Sequence, residues 1–202
     1  MNLLFVRHGK DSDQHRGGWS QLDLLPEGKR EAKTLADYLV QHKEDYHFTK
    51  MITSDLKRAE TTATILAETL QLPLEKESSL RETNNGDLAG MLNSGADQKF
   101  PRLYFRSLAM DEHYPNGESP REFYQRIKTW FQRFLQENDD SDETQIVVTH
   151  GGVINIIYHL VNQIEWTNKS NLFHVKHCSI SLLNTKTLVF EVENQTDFLE
   201  EK

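Results

Sequence analysis

Three segments of this sequence place basic and imidazole side chains directly after short apolar runs. Arg7-His8-Gly9 follows Leu3–Val6, Ser54-Asp55-Leu56-Lys57-Arg58 follows Met51-Ile52-Thr53, and His150-Gly151-Gly152 follows Ile146-Val147-Val148. Short continuous apolar runs are the pattern of strands buried on both faces. Ligands of open parallel sheets bind beyond the carboxyl ends of the strands, so the three segments predict one site with two arginines and two histidines. That set suits a phosphoryl group. A guanidinium offers a planar fork of donors matched to phosphate oxygens and stays charged. Arg58 also falls near the start of a predicted helix, where free N–H groups favour an anion. A histidine among arginines is expected to lose its proton more readily, which makes His8 a nucleophile. Clustered positive charge would stabilise the equatorial oxygens of the transition state. A leaving alkoxide needs a proton, and Glu82 in Leu80-Arg81-Glu82 is placed to supply it and then to activate water, with Asp87 and Glu118 as rival acids.

The elements that must position these groups alternate. Pro26-Glu27-Gly28 opens a helix whose stripe is Ala32, Leu35, Ala36 and Leu39. A helix from about Leu56 to Leu70 follows the second strand, and Leu74 to Glu77 is a candidate third strand. Ser119-Pro120-Arg121-Glu122 is a capping box with proline at the first helical position, and the helix continues through Phe123, Ile127, Trp130, Phe131, Phe134 and Leu135. A buried helix is expected from about Val153 to Val161. Cys178–Leu183 and Leu188–Val192 flank Asn184-Thr185-Lys186-Thr187 as a hairpin. This alternation predicts an α/β fold, a three-layer α/β/α sandwich with a mostly parallel central sheet, as one domain over residues 1–202. The poorly periodic stretch around residues 80–117 is expected to be a small cap inserted into it.

Composition excludes several classes. The chain has 202 residues, 23 Lys and Arg against 31 Asp and Glu, and a formal net charge of −8. A general nucleic-acid or anionic-membrane binder needs positive charge, so neither partner is expected. Cys178 is the sole cysteine, which excludes an intrachain disulfide and a cysteine-based zinc site. No apolar stretch approaches a membrane span or a signal peptide, and a cytoplasmic location is expected. The acidic run from Glu137 to Glu143 reads as a solvated loop. His15, His113, His174 and His177 show no trusted metal spacing; His174-x-x-His177 is metal-compatible, but surface or core placement is the expectation. Trp19, after Gly17-Gly18, is expected at the pocket wall, and Trp130 and Trp166 in the core or at its rim.

Taken together, Arg7-His8-Gly9, Ser54 through Ala63 (SDLKRAETTA), Leu80-Arg81-Glu82 with Gly86 and Gly90, Asn116-Gly117-Glu118-Ser119, and His150-Gly151-Gly152 resemble the histidine phosphatase superfamily in its phosphoglycerate mutase-like branch. Each word is weak alone; their shared order and spacing is specific. The resemblance implies phosphatase hydrolysis of a small phosphorylated metabolite through phosphohistidine at His8. Arg7, Arg58, His150, Gly151 and Gln14 would hold the phosphate and Glu82 would be the acid, with no metal and no cofactor. The alternatives are a phosphoglycerate mutase and a phosphate-binding module without turnover; a homodimer is left open. The chain departs from the family pattern at Gln14, where asparagine is common, at Lys10-Asp11, which replaces an acidic-then-hydroxyl pair, at Leu24-Leu25-Pro26, and at Leu88-Ala89, where tryptophan and an acid are common. These departures predict altered substrate preference before lost activity.

Overall fold

A computed structural model describes residues 1–137, 142–170 and 172–200. The order is β1 (Asn2–Arg7), α1 (Pro26–Gln41), α2 (Lys43–Tyr46), β2 (Phe48–Thr53), α3 (Lys57–Leu70), β3 (Leu74–Lys76), α4 (Asn93–Lys99), α5 (Pro120–Glu137), β4 (Thr144–Thr149), α6 (Gly151–Val161), β5 (Ile180–Asn184) and β6 (Val189–Gln195). The strands form one sheet in the order β3-β2-β4-β1-β5-β6. β3, β2, β4 and β1 run parallel, whereas β5 is antiparallel to β1 and β6 to β5. The parallel part is the part that carries the site; the hairpin closes one side.

The apolar runs are continuous because both faces of the sheet are covered. Leu3, Phe5 and Val147 pack with Phe123, Ile127 and Ile154 of α5 and α6. Leu4, Val6, Ile146 and Val148 pack with Leu35, Leu39, Ala63 and Leu66 of α1 and α3. Successive strand residues point to opposite faces, so four adjacent residues of β1 serve two separate cores. Each side chain of that size, fully buried, contributes about 1.5–3 kcal/mol. The predicted capping box is present: Glu122 N donates to Ser119 Oγ (3.2 Å) and Ser119 N donates to Glu122 Oε2 (3.0 Å). It fixes where α5 begins, and α5 in turn supplies Arg126 to the site.

Some boundaries differ from expectation. Cys178 is not in the hairpin strand; it has a left-handed backbone (φ 48°) and its N–H donates to Arg7 O (3.0 Å), so the turn ahead of β5 is tied to the end of β1. Residues 80–117 contain α4 and short 3-10 turns at Gly86–Leu88 and Phe105–Ser107, with a small cluster of Leu88, Leu108 and Tyr114. Of the acidic run expected as a solvated loop, 138–141 lie outside the described residues. Among the described residues no helix is long and apolar enough to cross a membrane.

Candidate active site

β1 runs out at Arg7, and His8 is held against β4 by its N–H, which donates to Thr149 O (3.0 Å). The imidazole is 4% exposed. Its Nδ1 lies 2.8 Å from Gly9 O, and a carbonyl only accepts, so Nδ1 carries the proton. Nε2 is then a lone pair, and Arg58 Nε donates to it at 3.3 Å. Burial first, then the charge of Arg58 and the neighbouring His150, hold His8 well below the usual histidine range. The ring is therefore neutral, with its unprotonated nitrogen defined by the backbone.

The cations converge from separate elements. Arg58, in the first turn of α3 and 2% exposed, also donates from Nη1 to Ser20 O (3.3 Å) and from Nη2 to Gly18 O (2.8 Å). Arg7 donates from Nη2 to His177 Nε2 (2.7 Å) and from Nη1 to Val175 O (2.5 Å). The His150 ring centroid lies 5.1 Å from that of His8, and its Nε2 is 2.8 Å from Ser54 Oγ. Leu56 N donates to the same Ser54 oxygen (3.3 Å), and in the tautomer with the ring proton on Nδ1 the Ser54 hydroxyl donates to His150 Nε2. That His150 Nδ1 and Arg7 Nε are both buried without a partner among the described residues. A buried guanidinium N–H without an acceptor is costly, and Arg7 Nε beside an unpartnered imidazole nitrogen marks a place for an anion. Burial, followed by Arg58 and Arg7, lowers the His150 pKa in the same sense as that of His8.

Glu82 enters from the loop after the 3-10 turn Ser78–Leu80. Its Oε2 accepts from Gly152 N and its Oε1 from Thr83 N, each at 3.0 Å. Residue 152 must be glycine for this approach, because a Cβ there would run into the Glu82 carboxylate. The backbone under Glu82 is clamped. Arg126 donates to Ser79 O (2.8 Å), Arg81 O (2.9 Å) and Glu82 O (3.2 Å), and Trp19 Nε1 donates to Glu82 O (2.7 Å).

A cavity of about 330 Å³ opens beside this group, walled by Arg7, His8, Glu82, Gly151 and Gly152 at one end and by Phe105, Phe123, Trp166 and Phe173 further out. Arg106 and His174 add polar wall. Arg58 and His150 flank His8 but are not part of that wall. The structure thus brings Arg7, His8, Arg58, Glu82, His150 and Gly151 together. Gln14 it does not: its side chain is exposed, and its backbone O accepts from Asn93 N (2.8 Å). Trp19 packs behind the Glu82 loop under Arg81 and is absent from the cavity wall, contrary to expectation. Of the rival acids, Asp87 is exposed and bonded to Asn116 Nδ2 (3.0 Å), and Glu118 is taken up by Arg126 (2.7 Å) and Asn84 N (2.7 Å).

Besides the clamping Arg126, two residues beside His8 were not foreseen there. His177 stands with its ring 5.5 Å from that of His8, and Asp11 Oδ2 lies 3.4 Å from Arg58 Nε. The His174-x-x-His177 spacing was the available signal; His174 is exposed, as surface placement predicts, and lies on the cavity wall, whereas His177 is half-buried beside His8. His8, Asp11 and His177 offer ligand atoms within 4.8 Å of one another. A cation there would face two guanidinium groups, since Arg58 and Arg7 already donate to His8 Nε2 and His177 Nε2. The donor set favours an anion.

Known proteins resemble this chain over most of its length. The family model of the histidine phosphatase superfamily (branch 1) matches residues 3–197. The chain is 29% identical over 180 residues to a 2,3-bisphosphoglycerate-dependent phosphoglycerate mutase of Cytophaga hutchinsonii, covering 86% of this chain and 81% of that protein. It is 30% identical over 156 residues to phosphoserine phosphatase 1 of Hydrogenobacter thermophilus, covering 74% and 71%. Among solved structures, the α-ribazole phosphatase of Shigella flexneri superposes with a TM-score of 0.80 at 25% identity, over 96% of each chain.

Proposed function

The chain belongs to the histidine phosphatase superfamily, and from that premise we propose that it is a phosphomonoesterase acting on a small phosphorylated metabolite through phosphohistidine at His8. The observation that carries the reading is the imidazole tautomer: Nδ1–H is fixed on Gly9 O, which leaves Nε2 as the nucleophile beside Arg58. In the first step Nε2 forms a bond to phosphorus as the ester P–O bond breaks. Arg7, Arg58 and His150 Nδ1–H receive the equatorial oxygens, and Gly151 lets the backbone approach them. Protonated Glu82 gives its proton to the departing alkoxide. In the second step the Glu82 carboxylate takes a proton from water, whose oxygen forms the new P–O bond while the P–N bond breaks and its electrons return to Nε2. The positive charge that the transition state needs comes from two guanidinium groups, so no step calls for a metal.

The cavity volume suits a small ester. Asn155 and Asn168 of its wall are occupied by backbone carbonyls, of Phe173 and of Phe105 and Leu108. Arg106 and His174 are left to meet the substrate. The relative named a mutase supports a second reading, in which phosphohistidine returns its group to a second hydroxyl. A generic aryl phosphate, assayed in buffer with EDTA for wild type and His8→Ala, tests the proposal. Free phosphate from wild type alone is the expected result. Activity lost to EDTA and restored by zinc or magnesium refutes the mechanism; no turnover by either protein favours a binding module. Phosphate moved rather than freed, with a phosphoglycerate substrate, favours the mutase.

A further inference from the structure

The anion site already contains an anion. Asp11, two residues beyond Gly9, is 19% exposed at its side chain, with Oδ2 3.4 Å from Arg58 Nε and Oδ1 3.7 Å from His177 Nε2. Arg58 Nε is the same N–H that donates to His8 Nε2. The carboxylate oxygen therefore sits where an oxygen of a phosphoryl group on His8 would meet Arg58. We propose that Asp11 is a resident counter-ion of this site: in the free protein it takes the place of a phosphoryl oxygen at Arg58, and phosphate enters together with a proton.

Charge favours this. Arg7 and Arg58 supply two positive charges, His8 and His150 are neutral, and the carboxyls that offset the guanidinium groups are Asp11 and Glu82. A phosphate dianion brought beside the carboxylate would be opposed by it; a shared proton, O–H···O, turns that repulsion into a hydrogen bond. Burial pushes Asp11 up, but His177, His8 and Arg58 outweigh it and hold the carboxyl at about 2, so in the free protein it is ionised. The groups facing Asp11 are Arg58 on α3, His8 and Arg7 at the end of β1, and His177 ahead of β5. The next charges are Glu31 on α1, which accepts from Lys10 N (2.8 Å), and Lys10, which pairs with Glu27. None of these is a second carboxyl in contact with Asp11. At neutral pH and above, the proton must come from solvent or arrive on the substrate, so the site selects phosphate monoanions over dianions.

The inference rests on the proposed seat of phosphate at His8. Calorimetric titration of the whole protein with inorganic phosphate, in two buffers of different ionisation enthalpy above about pH 8 where phosphate is a dianion, tests it. Wild type is expected to take up close to one proton per phosphate bound, and its affinity to fall about tenfold per pH unit. Asp11→Ser and Asp11→Asn are expected to take up none, to show a flat pH profile, and to bind phosphate about 10- to 100-fold tighter, the equivalent of one charge-assisted contact released. His177→Gln should keep the uptake, which assigns it to Asp11. Wild-type binding without proton uptake, or uptake unchanged in the Asp11 variants, overturns the proposal, and the wild-type measurement stands even if a variant does not fold. Phosphate affinity unaffected by Arg58→Ala would instead overturn the seat itself, and the proposal with it.

Discussion

Gly152→Ala should disable the proposed proton donor, Glu82, without touching the proposed nucleophile, His8. The three atoms nearest a Cβ at residue 152 are the far end of the Glu82 side chain, which can swing away, so the clash is relieved by moving the carboxylate and not the backbone. The swing breaks the bond from Gly152 N to Glu82 Oε2, now 3.0 Å. A hydrogen bond to a charged group is worth about 1.5–3 kcal/mol, and alanine in place of glycine within a helix returns about 0.5–1 kcal/mol. The net loss is about 1–2 kcal/mol, a drop of a few degrees in melting temperature for a chain of this size, so the variant folds. Losing a positioned acid costs about 10²–10⁴ in rate where the leaving group needs a proton. An alkyl phosphate should therefore lose at least about 100-fold in kcat/KM, and p-nitrophenyl phosphate far less, as in Glu82→Gln. The measurement is the ratio of kcat/KM for the two esters in wild type, Gly152→Ala and Glu82→Gln. If Gly152→Ala leaves that ratio at the wild-type value while Glu82→Gln shifts it, the contact with Gly152 does not aim the acid. If Glu82→Gln slows both esters equally, Glu82 is not the acid.

Stability should fall with acid in a defined window. Both His8 and His150 are held well below 6.5, so the unfolded chain binds protons that the native fold does not. Their contribution is complete above about pH 6.5 and is lost as pH drops, by up to about 1.4 kcal/mol per unit for each ring, and melts from pH 7.5 to 5.5 should show a slope that His8→Gln roughly halves. Arg126→Met removes the donor that three consecutive-loop carbonyls and Glu118 share, and should cost about 2–4 kcal/mol in urea unfolding while reducing alkyl phosphate turnover more than aryl. Gln14→Ala should change stability by less than about 0.5 kcal/mol and leave kcat/KM close to wild type, because the side chain is exposed away from the cavity; a large loss would show that the loop folds inward on substrate.

The parallel strands and their helices were legible because each apolar run ends in a polar word, and a strand covered on both faces has no other pattern. The order of the strands was not, since nothing in Leu3–Val6 says that β4 rather than β2 lies beside it. Among the site residues, Arg7, His8, Arg58 and His150 were legible for the same reason: each follows a strand that must point at one sheet edge. Gln14 was assigned from resemblance alone, and the chain there turns outward to pair with Asn93. Arg126 had no signal of its own, because an arginine on an amphipathic helix reads as a surface charge until the loop it clamps is known. His177 reaches His8 through a left-handed turn at Cys178 that no periodicity announces.

Asp11 explains how a chain of net charge −8 can keep buried guanidinium groups in place. Arg58 is 2% exposed, and burial lowers its pKa while Asp11 and then Glu82 raise it. Arg7 has the same balance, with Glu82 ahead of Asp11. A buried cation without a counter-charge is too costly to retain, so a site that binds anions must hold some of its own while it waits. In the proposed mechanism the two carboxylates are divided by task. Glu82 is fixed by backbone N–H groups at the cavity wall, where a leaving oxygen would be. Asp11 makes one of its contacts with Arg58, a group that phosphate itself would claim. A carboxylate with the first kind of contact can serve a reaction without being displaced; one with the second must give way or take a proton, and this difference in contacts separates the two acids more sharply than their distance from His8.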